Sequence, residues 1–135
     1  MNKMQEQLRE WHQKFSVVVN DNPTLVDQKT QTLRKRLIQE ESEELFKGID
    51  ENNMVEIADG LADVLYVVFG TAVSYGIDIE RVFDEVHRSN MSKLWPDGKP
   101  HYDEFGKVVK PSTYSRADVE SVLEELEPDI GDEAS

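Results

Sequence analysis

The stretch Leu61-Ala62-Asp63-Val64-Leu65-Tyr66-Val67-Val68-Phe69-Gly70-Thr71-Ala72-Val73-Ser74-Tyr75-Gly76 decides the fold. Its centre, Val64 to Phe69, has the β-branched and aromatic composition of a strand. The apolar pattern around it is longer than a strand of about four to eight residues, and a helix-stop glycine ends it. One helix over residues 52–75, closed by Gly76, is therefore expected. From Leu61 to Val73 the only charged residue is Asp63, so apolar side chains point in every direction. A helix of that kind must be surrounded by other protein. Few other helices exist in 135 residues to do this, so a second subunit is expected to cover it.

Working outward, Met4, Leu8, Trp11, Phe15 and Val18 make an amphipathic stripe for a first helix, broken by Asn20-Asp21-Asn22-Pro23. A second helix is expected from Asp27 to Lys47, stopping near Gly48. Asp78 is a suitable N-cap for a fourth helix reaching Lys93. Trp95-Pro96-Asp97-Gly98 reads as a turn, followed by loop with a short extended pair around Val108-Val109. Ser115 is a candidate cap for a last short helix to Leu126. The fold class is all-α: a bundle of four main helices plus a short C-terminal one, completed by oligomerisation. Residues 1–126 form the domain, and 127–135 an acidic tail expected to be disordered.

The chain carries no cysteine, which excludes disulfides, thiolate metal sites and a thiol nucleophile. It has no uninterrupted run of about 18 apolar residues and no signal-peptide core at its N-terminus. A cytoplasmic protein without a membrane partner is expected. A net charge of −13 argues against nucleic acid as a partner. The charge is uneven: from Glu124 onward there are six acids and no base, whereas Arg88 to Arg116 holds six bases against three acids. A small polyanion could bind that basic segment.

Helix two carries Glu40-Glu41-Ser42-Glu43-Glu44. At ~100° per residue from Leu33, Leu37 lies near ~40°, Leu45 near ~120° and Ile38 near ~140°, which defines an apolar arc. Glu44 falls near ~20°, Glu41 near ~80° and Glu40 just outside at ~340°, while Glu43 is far round at ~280°. Carboxylates thus share a face that should be buried, at a desolvation cost of several kcal/mol per ion. Helix three repeats the anomaly, with Glu56, Asp59, Asp63, Tyr66 and Gly70 on one face. Either helix alone reads as a solvated face or a hydrogen-bonded aspartate. Both together, on adjacent helices, point to a hard divalent cation held by carboxylate oxygens. A di-iron bundle would need two Glu-x-x-His motifs; the nearest match is Asp84-x-x-His87, so that reading fails. Helix four contributes His87 and Asn90, with Lys93 at its end. His87 reads equally well as a core or interface histidine. Trp11, Trp95 and Tyr66 are candidates to stack on a base, although such residues are more often core.

These residues resemble the all-α nucleotide pyrophosphohydrolase superfamily, which includes MazG, dimeric dUTPases and phosphoribosyl-ATP pyrophosphohydrolase. The family pattern is E-E-x-x-E on one helix and E-x-x-D on the next, the latter ending here at Asp63. Glu85-Val86-His87-Arg88-Ser89-Asn90-Met91-Ser92-Lys93, followed by Asp97-Gly98-Lys99 and Gly106 to Lys110, is similar to the MazG-like branch with dUTPase activity. The resemblance implies cleavage of a nucleoside triphosphate to monophosphate and pyrophosphate, with Mg²⁺ as cofactor or Mn²⁺ in its place. It implies Glu41, Glu44 and Asp63 as ligands and Glu40 as a second-metal ligand or base. It also implies Asn90 and Lys93 as contacts to sugar or phosphates; Tyr66, His87 and the basic-segment lysines Lys107 and Lys110 complete the candidate substrate contacts on the residue reading alone. One departure stands out: the first acid of E-x-x-D falls on Gly60. Asp59 is the expected substitute, with Glu56 behind it. The family also implies a homo-oligomer, most simply a dimer and in some members a tetramer. The competing readings are a non-catalytic nucleotide-binding or regulatory protein, and a purely structural helical oligomer.

Overall fold

The structure is a computed structural model, and it describes residues 1–128. The elements run α1 (Lys3–Lys14), α2 (Gln28–Asp50), α3 (Met54–Tyr75), α4 (Ile79–Met91), β1 (His101–Tyr102), β2 (Val108–Val109) and α5 (Val119–Leu126). The expected all-α architecture of four main helices and a short last one is present, and the extended pair is an antiparallel hairpin joining His101 to Val109 and Tyr102 to Val108. Most of the acidic tail, 129–135, lies outside the described residues. The chain divides into two compact units, one spanning Met1–Ile79 and the other Glu80–Leu126.

In the first unit α3 packs against both α1 and α2. Gly76 ends α3 at φ 69°, with the Ile77 amide donating to the Ala72 carbonyl at 2.9 Å. This is the left-handed C-cap that the glycine signalled. The connection after α1 is pinned on that end: Asn20 Nδ2 donates to the Ser74 carbonyl at 2.7 Å and the Ser74 hydroxyl to the Val18 carbonyl at 2.9 Å.

Several boundaries and faces differ from the sequence reading. Helix α1 stops at Lys14, and Ser16 takes φ 56°, so Phe15 and Val18 fall outside the helix. Of the apolar stripe only Leu8 is buried, beside the polar Gln5 and His12, while Met4, Trp11, Phe15 and Val18 are exposed. The reason is backbone chemistry. Gln5 Nε2 donates to the Ile77 carbonyl at 2.6 Å and its Oε1 accepts from the Ile79 amide at 3.0 Å, satisfying groups that a helix end leaves open. His12 Nδ1–H donates to the Val18 carbonyl at 3.0 Å, and burial holds the imidazole pKa below its usual value.

Helix α2 runs through Gly48 to Asp50. Gly48 is a contact position: a Cβ there would lie 3.1 Å from the Glu56 Cβ of α3. The stop is Asn52, at φ 51°, with the Asn53 amide donating to the Gly48 carbonyl at 3.0 Å. Leu33 is exposed, and Arg34 is buried instead, donating from Nε to Thr71 Oγ1 at 3.1 Å and from Nη2 to the Val67 carbonyl at 2.9 Å.

In the second unit Asp118, not Ser115, caps α5, its Oδ1 accepting the Ser121 amide at 3.1 Å. Asp78 accepts no α4 amide, so that cap is absent among the described residues. Arg81 pairs with Glu125, and Arg88 with Glu85.

Within the described residues the buried apolar side chains are Leu8, Leu45, Ala72, Val73 and Pro111. Val55, Leu61, Leu65, Tyr66 and Val68 of α3 remain exposed. By length and composition α3 could itself cross a membrane, a test that the central helix of a bundle also meets. Three acids lie on it (Glu56, Asp59 and Asp63), and it packs on two neighbouring helices, which identifies it as a bundle helix.

Candidate functional site

Glu41 and Glu44 are one turn apart on α2, and Asp63 faces them from α3. Each offers a carboxylate oxygen, and the three oxygens lie within 4.8 Å of one another. Glu41 and Asp63 are half-buried and Glu44 is exposed. Burial raises the Glu41 pKa above its ordinary value, and the charges of Glu44, Asp63, Glu40 and Asp59 raise it further. Glu41 Oε2 is buried with no hydrogen-bond partner. A buried carboxylate oxygen without a donor, ringed by other acids, is costly unless a cation completes it. The donor set is all oxygen, which suits a hard divalent ion. These residues can therefore hold a metal.

Glu41, Glu44 and Asp63 are brought together. Glu40 and Asp59 are exposed but close enough for their charges to act on Glu41. Glu43 points elsewhere, accepting from Gln39 Nε2 at 3.2 Å, in keeping with its angle on the helix. Glu56 joins Glu44 in lining a cleft of 430 Å³ at the junction of α2 and α3. Lys47 lines the same cleft and was missed in the sequence, where it reads as an ordinary last-turn lysine.

Gly60, the departure from the family motif, has a packing cause. A Cβ at this position would lie 3.0 Å from Leu45 Cα and 3.2 Å from its Cβ. The backbones of α2 and α3 meet there, leaving no room for an acid.

Tyr66 lies one turn beyond Asp63, half-exposed, with its ring edge-on to Trp11 at 6.4 Å. Trp11 in turn stacks on Phe15 at 4.4 Å.

In the second unit His87 and Asn90 are exposed, so His87 is not a core histidine of this chain. The basic segment converges on Tyr114. Its hydroxyl is 3.5 Å from Ser89 Oγ, and Lys110 Nζ sits 4.7 Å from its ring centre. The Ser89 hydrogen bond and the charges of Lys110, Lys93 and Arg116 hold the phenol pKa below its usual value. Lys107 is exposed on the hairpin, its amide donating to Asp103 Oδ1 at 2.9 Å. Trp95 stacks on His101 at 4.4 Å and donates from Nε1 to the Val109 carbonyl at 2.9 Å, which ties the hairpin to the turn that follows α4.

Among known proteins, the model of the phosphoribosyl-ATP pyrophosphohydrolase family matches residues 8–90. That stretch contains all the clustered acids and stops before Lys93 and the hairpin lysines. An uncharacterized protein of Acanthamoeba polyphaga mimivirus is 31% identical over 105 residues, 76% of this chain and 39% of the relative. The chain thus spans under half the length of that relative. The crystal structure of a provisionally assigned NTP pyrophosphohydrolase from Exiguobacterium sp. 255-15 is similar, with a TM-score of 0.50 and 25% identity over 92% of this chain and 93% of that one.

Proposed function

The chain belongs to the phosphoribosyl-ATP pyrophosphohydrolase family, and from that premise we propose that it hydrolyses a nucleoside triphosphate to a monophosphate and pyrophosphate. Mg²⁺ is the proposed cofactor, held by Glu41, Glu44 and Asp63, with Mn²⁺ as a substitute. The observation that carries this reading is the orphaned Glu41 Oε2 inside a ring of carboxylates. When bound, the ion supplies charge neutralisation at the phosphates and polarises water. Glu40 is proposed to ligate a second metal or to accept the proton of the attacking water, and Asp59 to take the role that Gly60 cannot. Tyr66 presents a face to the base. His87, Asn90, Lys93, Lys107 and Lys110 are proposed as further substrate contacts. The proposed setting is the cytoplasmic nucleotide pool. The similarity around His87 to Lys93 makes dUTP one substrate to test.

The experiment is a panel of NTPs and dNTPs with Mg²⁺. It also separates hydrolysis from a non-catalytic binding role, which the glycine at position 60 favours. Tight binding of a triphosphate without turnover would establish that second reading.

Lys93→Ala is expected to raise KM for the triphosphate about ten-fold or more, since a charge-assisted hydrogen bond to phosphate is worth about 1.5–3 kcal/mol. Inhibition by the monophosphate product should change much less. Equal losses in both constants would place Lys93 at the sugar or α-phosphate.

We further propose a homo-oligomer, most simply a dimer. Supporting it are the sparse buried core and the uncovered Val55, Leu61, Leu65 and Val68 of α3. Sedimentation is expected to show no monomer at micromolar concentration; a stable monomer there would defeat the proposal.

A further inference from the structure

The 430 Å³ cleft beside the carboxylate cluster is lined by Glu44, Lys47, Gly48, Glu51, Asn53 and Glu56. Lys47 is its one basic side chain. It lies on α2 at the third residue after Glu44, so an ammonium and a cluster carboxylate open into the same space. Three carboxylates share the cleft with it, yet Lys47 makes no ion pair among the described residues. Lys14, by contrast, pairs with Glu10 at 2.9 Å one turn away on its own helix. An unpaired lysine at the mouth of an acidic site is a point charge free to take phosphate oxygens. A lysine in the last turn also complements the negative end of its helix. That role would act on stability alone, and it gives no reason for the side chain to face a cleft.

We propose that Lys47 is a phosphate-binding residue that grips the pyrophosphate end of the substrate in this cleft. The inference rests on the triphosphate-cleaving reading and adds to it a residue in the first unit, next to the acids. A metal on Glu41, Glu44 and Asp63 offsets part of the phosphate charge, and the Lys47 ammonium offsets more. The remaining cleft acids, Glu51 and Glu56, lie exposed to solvent, where water screens them.

The test is calorimetric binding of inorganic pyrophosphate in the presence of Mg²⁺ to the parent, Lys47→Ala and Lys47→Arg. Nucleoside monophosphate is titrated in parallel, and thermal stability is recorded in chelator. Lys47→Ala is expected to weaken pyrophosphate binding about ten-fold or more, with monophosphate binding and stability close to the parent. Lys47→Arg should recover most of the affinity. Unchanged pyrophosphate affinity in Lys47→Ala would overturn the proposal, as would an equal loss for both ligands. A parent that cleaves triphosphate beside an unaffected Lys47→Ala removes Lys47 alone. A parent that neither binds magnesium pyrophosphate nor cleaves any triphosphate removes the functional reading as well.

Discussion

Glu41→Gln and Glu44→Gln are each expected to reduce triphosphate turnover by ~100-fold or more while leaving the metal-free fold at least as stable as the parent. The activity loss follows from removing one of three oxygens that lie within 4.8 Å of one another. Charge stabilisation by a metal is worth several kcal/mol, and each ~1.4 kcal/mol is ten-fold in rate. The stability half has the opposite sign from an ordinary buried-group deletion, because without metal the carboxylates repel. Glu41 shows this: burial, then Glu44, Asp63, Glu40 and Asp59, raise its pKa in the folded state. A raised folded pKa means that the folded protein holds the proton more tightly than the unfolded chain. The corresponding stability is full below the ordinary glutamate pKa and is lost as pH rises through the raised value. Thermal melts in chelator should therefore show the parent losing stability across that window and Glu41→Gln losing less. A drop of several kcal/mol in metal-free Glu41→Gln would make the carboxylate a structural group and move the site elsewhere.

Gly60→Ala is expected to destabilise the protein by about 1–3 kcal/mol and to weaken metal binding, although it adds only a methyl group. The new Cβ meets the Leu45 backbone at 3.0 Å, so α2 and α3 must part at the point that sets the spacing of Glu44 and Asp63. Gly60→Glu restores the acid of the family motif and should be worse still, since a longer side chain enters the same contact. Asp59→Asn makes the contrast: the fold should be unaffected while metal affinity falls, because its exposed carboxylate, near enough for its charge to act on Glu41, is the proposed stand-in for the acid absent at position 60. Metal titrations and melts on the three variants check this. Stronger metal binding by Gly60→Glu would show that position 60 faces the cluster rather than α2. A parent-like titration by Asp59→Asn would remove Asp59 from the site.

The parts of this architecture that the sequence disclosed are those governed by one helix at a time. The long apolar run and Gly76 were enough for α3. The angular positions of Glu41 and Glu44 were enough to bring them to the Asp63 side and set Glu43 apart, although Glu44, like the reference Leu33, is exposed rather than buried. What the sequence hid depends on a second element. Gly48 looks like a helix stop in isolation, yet it is where α3 passes; the stop itself is Asn52, in a conformation that asparagine tolerates less visibly than glycine. Gly60 looked like a missing ligand until Leu45 was found against it. Gln5 and Arg34 are polar residues at buried positions because they serve backbone carbonyls and amides of distant segments, a demand that periodicity does not record. Lys47 carries no distinguishing pattern, and only the cleft it lines brings it forward.

The most direct test of the central claim is to follow the products of the first turnovers with Mg²⁺ by ³¹P NMR, using the triphosphate cleaved fastest in the panel. Monophosphate and pyrophosphate are expected to appear together in equal amounts from the outset, with Glu44→Gln producing neither. Orthophosphate accompanied by a nucleoside diphosphate, or no product from any triphosphate at saturating Mg²⁺, would contradict that claim.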